Sequence, residues 1–182
     1  MGTVITLPRG QPLTRDDLDA MPDDGHRYEL VDGTLVVTPA PSFRHQVVAG
    51  ELYLLLRRAC PPDFYVLFAP FDVALAQDTV LQPDLLVARR ADFTDRDLPV
   101  APLLAVEVLS RSTRHVDHGL KRARYEAAGC PAYWVVDPDE PSLTVWGLAG
   151  REYQRQAHVT ARERYTSTLP YEVSIVPAEL LG

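Results

Sequence analysis

Apolar positions along the chain switch between a period of two and a period of three to four, and the switches mark the elements. His26 to Val31 and Thr34 to Thr38 alternate on either side of Asp32-Gly33, which predicts a strand, a tight turn and its hairpin partner. Upstream, Thr14-Arg-Asp-Asp17 carries a capping-box variant that opens a short helix, and Pro22 closes it. Ser42 is an N-cap ahead of Val47, Val48, Leu52, Leu55, Leu56 and Ala59, one broad face of a helix that Pro61-Pro62 stops. Phe64 to Phe68, Phe71 to Ala76 and Val80 to Ala88 read as three strands, followed by a polar loop from Arg89 to Asp97.

Leu103 to Leu109 is apolar on both faces, as a strand in a sheet covered on each side would be. Thr113 to Ala128 predicts a helix with Val116, Leu120, Ala123 and Ala127 on the sheet, Gly129 at its C-cap and a strand from Ala132 to Val136 beyond. Strand, helix and strand at this spacing make a right-handed crossover between parallel neighbours. After the turn at Asp137-Pro-Asp-Glu-Pro, Leu143 to Gly147, Glu152 to Gln156 and Arg164 to Thr168 read as short antiparallel strands. The expected fold is α/β: a mixed β-sheet flanked by two main helices.

At 182 residues the chain is expected to form a single domain, 1–182, with 1–12 as a loose leading segment. Its apolar runs are strand-sized, well short of the roughly 18 residues of a membrane span. The opening residues lack a basic region followed by an apolar one, so a cytoplasmic location is expected. Cys60 and Cys130 form no CxxC and end apolar segments, which favours buried free thiols over a disulfide framework or a zinc site. The net charge of −7 speaks against a protein that coats nucleic acid non-specifically, though not against an enzyme whose acids hold metal ions. Arginine supplies all but one of the 18 basic residues. The lone lysine, Lys121, therefore raises the question of what arginine cannot do there.

Two acids interrupt apolar strands: Asp84 within Leu81-Gln-Pro-Asp-Leu-Leu-Val87, and Glu107 within Leu103-Leu-Ala-Val-Glu-Val-Leu109. A carboxylate on a covered sheet costs several kcal/mol unless a cation or hydrogen bonds compensate it. Two on neighbouring strands would suit a hard divalent cation that prefers oxygen ligands. The plainer alternative puts each at a solvated strand end or beside an arginine. Lys121, fourteen residues after Glu107, sits at the border of the following helix near Tyr125. From there it can bend toward the strand end, or simply pair with Asp117 at the surface. Glu29 precedes the hairpin turn, where an outward-facing glutamate is ordinary. Arg44 and His45, in the first turn of the long helix, face either a phosphate or water. His115-Val-Asp-His118 lacks a third ligand nearby and reads as solvated surface.

Taken in order, Arg27-Tyr-Glu-Leu-Val-Asp-Gly33, Gln82-Pro-Asp-Leu85, Val106-Glu-Val-Leu-Ser110, Lys121 through Tyr125 and Gly129-Cys-Pro-Ala-Tyr-Trp-Val-Val-Asp137 resemble one large bacterial family. It is the family of restriction-endonuclease-like proteins within the PD-(D/E)-x-K nuclease superfamily. The resemblance runs from about Thr14 to Leu180. It implies a restriction-endonuclease-like fold and Mg²⁺-dependent hydrolysis of DNA phosphodiester bonds, with Mn²⁺ as a substitute ion. Pro83-Asp84 stands for the PD and Glu107 for the (D/E). The position two beyond Glu107 is Leu109, so the lysine is implied to have moved to Lys121. Asp84, Glu107 and the Val108 carbonyl would then hold the metal, and Lys121 would stabilise transition-state charge. Glu29 would match the superfamily's additional acid. A homodimer, with Trp146, Tyr153 and Tyr165 as aromatic surface, would match two sites to two strands. The rival expectation is a non-catalytic interaction protein that keeps the nuclease fold.

Overall fold

Two β-sheets meet at the segment 82–84, and the ends of their strands surround it. The computed structural model describes residues 10–110 and 116–182, with backbone alone for 116–118. In chain order the elements are α1 (Arg15–Asp19), β1 (Arg27–Val31), β2 (Thr34–Thr38), α2 (Phe43–Ala59), β3 (Phe64–Phe68), β4 (Asp72–Ala76), β5 (Thr79–Leu81), β6 (Leu85–Arg89), β7 (Asp97–Leu98) and β8 (Leu104–Val108). A π-helical turn, Val116–Lys121, leads into α3 (Arg122–Ala127). Then come β9 (Ala132–Asp137), β10 (Ser142–Ala149), β11 (Glu152–Thr160), β12 (Tyr165–Ser167), β13 (Val173–Ile175) and a last 3₁₀ turn, Pro177–Leu181.

The larger sheet has the order β11-β10-β9-β8-β6-β3, and the smaller one β2-β1-β5-β4-β7. β8 and β9 run parallel, Leu104 opposite Ala132, as the strand–helix–strand spacing requires; their flanking partners β6 and β10 are antiparallel. Every residue of β8 and β9 is buried. One face of this sheet packs on α2 through Val48, Leu52 and Leu56, while the other packs on Tyr125 of α3 and on Val73, Leu81 and Leu98 of the smaller sheet. The sheet is thus covered on both sides, the reason its central strands tolerate continuous apolar sequence.

Local chemistry sets the boundaries. Asp17 Oδ2 accepts from the Thr14 amide at 2.8 Å and from the Thr14 hydroxyl at 2.9 Å, opening α1. Asp32 and Gly33 both take positive φ, +50° and +72°, the backbone of a two-residue hairpin turn. A Cβ on Gly33 would also sit 2.4 Å from the Cβ of Pro12. Ser42 Oγ accepts from the His45 amide at 3.2 Å and caps α2.

Four expectations need correction. The run Val80 to Ala88 is not one strand. It divides into β5 and β6, which belong to different sheets, because Pro83 has no N–H for a ladder and the chain changes sheets there. Asp84 therefore lies in the crossing rather than on a strand face shared with Val80 and Leu86. The loop Arg89 to Asp97 ends in a buried two-residue strand whose Asp97 pairs with Arg15. Among the described side chains around α3, which exclude that of Val116, Lys121 and Tyr125 are buried, whereas Leu120 is half exposed and Ala127 exposed. The π turn holds one more residue than an α turn would, and this shifts the phase of the buried face. Finally, Cys60 is only half-buried, although both cysteines are free.

Trp146, Tyr153 and Tyr165 are half-buried against the chain's own core. Arg122 lies 4.3 Å over the Trp146 ring, and Tyr153 stacks on Tyr133 while its hydroxyl donates to the Cys130 carbonyl. Among the described residues, no helix is long and apolar enough to cross a membrane.

Candidate active site

His45, Val48, Leu52 and Leu56 form one stripe of α2, and all four are buried. Burial of each aliphatic member stabilises by roughly 1.5–3 kcal/mol, enough to hold a histidine against the sheet end. Its Nε2 lies 3.1 Å from Asp84 Oδ2, which also accepts the Val108 N–H at 2.8 Å. The other oxygen, Oδ1, accepts from Arg27 at 3.0 Å. Arg27 and Glu29 are alternate residues on β1 and so share a face; the second guanidinium nitrogen is 3.6 Å from Glu29 Oε2.

Glu29 is fully buried, at 0% exposure, and its Oε1 accepts the Gln82 N–H at 2.7 Å. Lys121 Nζ stands 2.8 Å from the same oxygen and 3.3 Å from Glu107 Oε1. Lys121 and Glu107 are each 1% exposed and Asp84 is 5%. All four side chains expected to carry chemistry thus meet at the seam between the sheets. The plainer alternatives of a surface Lys121, an outward Glu29 and a solvated strand end for Glu107 do not hold, whereas Asp84 does lie beside an arginine, Arg27. Asp117 and His118 side chains, and all of His115, lie outside the described residues.

Three carboxylates face two permanent cations here, Arg27 and Lys121. Burial by itself pushes the Asp84 carboxyl up, but the His45 hydrogen bond, the charges of His45, Arg27 and Lys121 together hold it down at about 2. Burial works against the Arg27 charge, and Glu29, Asp84 and Glu107 outweigh it, keeping the guanidinium protonated far above any working pH. Tyr125, one turn after Lys121, is fully buried, and burial followed by the Glu107 and Glu29 charges pushes its hydroxyl up.

The lowered Asp84 value has a sign in stability. Its ordinary value is 3.8, so the contribution is complete above pH 4 and disappears as pH falls through about 2. Chemical denaturation across that window should show wild type losing on the order of 2 kcal/mol more than Asp84→Asn. Parallel curves for the two proteins would mean that Asp84 is not paired as described.

A cleft of about 1190 Å³ opens onto this network. Arg27, His45, Asp72, Gln82, Asp84 and Ser110 line its floor, while Glu29, Glu107 and Lys121 stand one layer behind. Arg27 and His45 belong to the candidate site, although the sequence reading did not select them. Both were signalled: Arg27 by its i,i+2 relation to Glu29, and His45 by its place on the apolar stripe of the long helix.

The donor chemistry fits a hard divalent cation. Asp84 and Glu107 offer oxygen. Among the described residues no three His, Cys, Asp or Glu side chains form a ready metal cluster. The Val108 group that contacts Asp84 is its N–H.

Comparison with solved structures gives a crystal structure from Anabaena variabilis, described as "a putative nuclease belonging to DUF820". It superposes with a TM-score of 0.76 over 93% of this chain and 98% of that one, at 16% identity, which establishes a shared fold. No curated protein matches the sequence. A family model named Uma2, described as "Putative restriction endonuclease", matches residues 15–178, a span that includes Arg27, Glu29, His45, Asp84, Glu107 and Lys121. The chain belongs to the Uma2 family.

Proposed function

We propose that the protein is a Mg²⁺-dependent endonuclease that hydrolyses DNA phosphodiester bonds at the Asp84 end of the cleft. The observation that carries this reading is the convergence of Glu29, Glu107 and Lys121 from three separate elements behind an open cleft, joined through Arg27 to Asp84 at the crossing between the sheets. A structural role alone would be served by fewer buried charges, since apolar packing of the same volume is often as stable. The family and the fold point to nucleic acid as substrate.

In this reading Asp84 and Glu107, with the Val108 carbonyl, would hold Mg²⁺ or Mn²⁺. The ion supplies charge neutralisation on the phosphate and a more acidic water. Arg27 reaches both Asp84 and the cleft, so it is placed to meet a phosphate oxygen. Lys121 adds a compact positive charge against the charge that grows as water adds to phosphorus and the P–O bond breaks. Glu29 holds Lys121 in position. The leaving oxygen takes a proton from solvent.

The test is a cleavage assay with Mg²⁺ and Mn²⁺ titrations on wild type and Asp84→Ala. Wild type should cut DNA, stop with EDTA, and lose about a hundredfold or more of its rate in the variant. Equal rates in both proteins would remove the proposal. One observation favours the rival, an interaction protein without catalysis: Asp84 is already satisfied by Arg27, His45 and the Val108 amide. Failure to bind any divalent ion at millimolar concentration would give that rival the lead.

A further inference from the structure

The floor of the cleft is charged, but its wall is apolar and aromatic. Phe68 lines it with 60% of its surface exposed, a large ring left in water at the end of β3. Tyr53 of α2 meets it edge-on, with centroids 5.2 Å apart and planes at 84°, and thereby fixes the ring without covering its face. Tyr28, Met21, Pro39, Pro41 and Ala49 continue the same wall.

Phe68 is also adjacent to the reactive end. It pairs in register with Leu85, the residue after Asp84, and the next amide, Ala69 N–H, donates to the Asp84 carbonyl at 3.0 Å. Neighbouring strands lie about 4.8 Å apart. The ring and the carboxylate thus belong to neighbouring backbone positions of one cleft.

Charge around the cleft selects among nucleic acids. A duplex hides its base faces and presents two rows of phosphates, so proteins that hold it meet those phosphates with several Lys or Arg side chains. Of the described residues lining this cleft, Arg27 is the one Lys or Arg, against Asp19, Asp23, Asp72, Asp84 and Asp139, of which Asp19 pairs with Arg96 and Asp139 with Arg44. Among the described residues such a lining offers the two phosphate rows of a duplex few partners. An unpaired strand instead offers a base face to stack on an aromatic ring, and that contact needs no basic surface.

We propose that the cleft takes an unpaired DNA strand, one base stacked on Phe68 and the adjoining phosphate against Arg27 at Asp84. The substrate would be single-stranded DNA or the single-stranded tail of a duplex, which narrows the nuclease reading on which this inference rests.

Binding in EDTA tests it apart from cleavage. Fluorescein-labelled single strand, blunt duplex and tailed duplex of the same sequence are titrated with wild type, Phe68→Ala and Phe68→Trp, and anisotropy is read. Single strand and tailed duplex should bind about tenfold or more tighter than blunt duplex. Phe68→Ala should lose about tenfold on the unpaired substrates. Phe68→Trp should bind as wild type does, and its added indole emission should be quenched by single strand. Blunt duplex bound as tightly as single strand, or Phe68→Ala without effect, overturns the inference. Cleavage then separates the two readings. A protein that binds single strands as described yet cuts nothing in Mg²⁺ supports this inference and defeats the nuclease. One that cuts blunt duplex faster than unpaired strand supports the nuclease and defeats this inference.

Discussion

Lys121→Met should cost about 3–5 kcal/mol of folding stability, the scale for removing one partner from a buried charge group. Methionine matches the length of the lysine stem, so packing is nearly conserved and the lost ammonium dominates. Glu29, 2.8 Å away at 0% exposure, and Glu107, 3.3 Å away at 1%, would then face each other without the cation between them. Urea denaturation at neutral pH measures the loss, and adding Glu29→Gln should recover part of it. Against a typical domain stability of about 5–15 kcal/mol, this is a large share. Lys121→Arg would be harmless if the side chain were paired at the surface. In a site 1% exposed it overfills the space and should cost about 1–3 kcal/mol. Unchanged stability in both variants would return Lys121 to solvent.

Glu107→Gln should separate activity from stability. The shape is conserved, and the network moves from three carboxylates against two cations toward balance, so thermal unfolding should occur at the wild-type temperature or above it. DNA cleavage should fall by about a hundredfold or more, because the neutral amide is a poorer oxygen donor to a divalent ion. Active sites trade stability for function in this manner. A Glu107→Gln protein that cuts at the wild-type rate would show the carboxylate to be a structural counter-charge for Lys121.

The elements were largely legible because their signals are local. Thr14-to-Asp17 capping, the Asp32-Gly33 turn, the Ser42 cap and the apolar run of Leu103 to Leu109 each act within a few residues, and each appears in the structure. The division of Val80 to Ala88 between two sheets was harder to read. Pro83 signals a break, but which sheet each half joins depends on partners far along the chain, Leu30 for one and Val106 for the other. The buried face of α3 was misread for a related reason: periodicity assumes α geometry, and the π turn ending at Lys121 does not follow it.

For the site, composition and apolar context singled out Asp84, Glu107 and Lys121, while the resemblance added Glu29. Burial of Lys121 was not legible, since Asp117 stands at an equally good spacing for a surface pair. His45 and Arg27 escaped because each has an ordinary explanation in isolation. Only the fold sets them beside Asp84.

The seam at 82–84 also bears on how the chain is made. Synthesis delivers the hairpin carrying Arg27 and Glu29 first, then Asp84, and the cation at 121 only later. A nascent chain that has not yet reached Lys121 has Glu29 formed into a strand with its principal counter-charge still unmade. The smaller sheet, complete by Leu98, therefore has reason to stay open until β8 and the turn ending at Lys121 arrive. Closure of the sheets and assembly of the charge network would then be one late event. An interrupted chain would end as an open intermediate rather than as a closed fold with a faulty site.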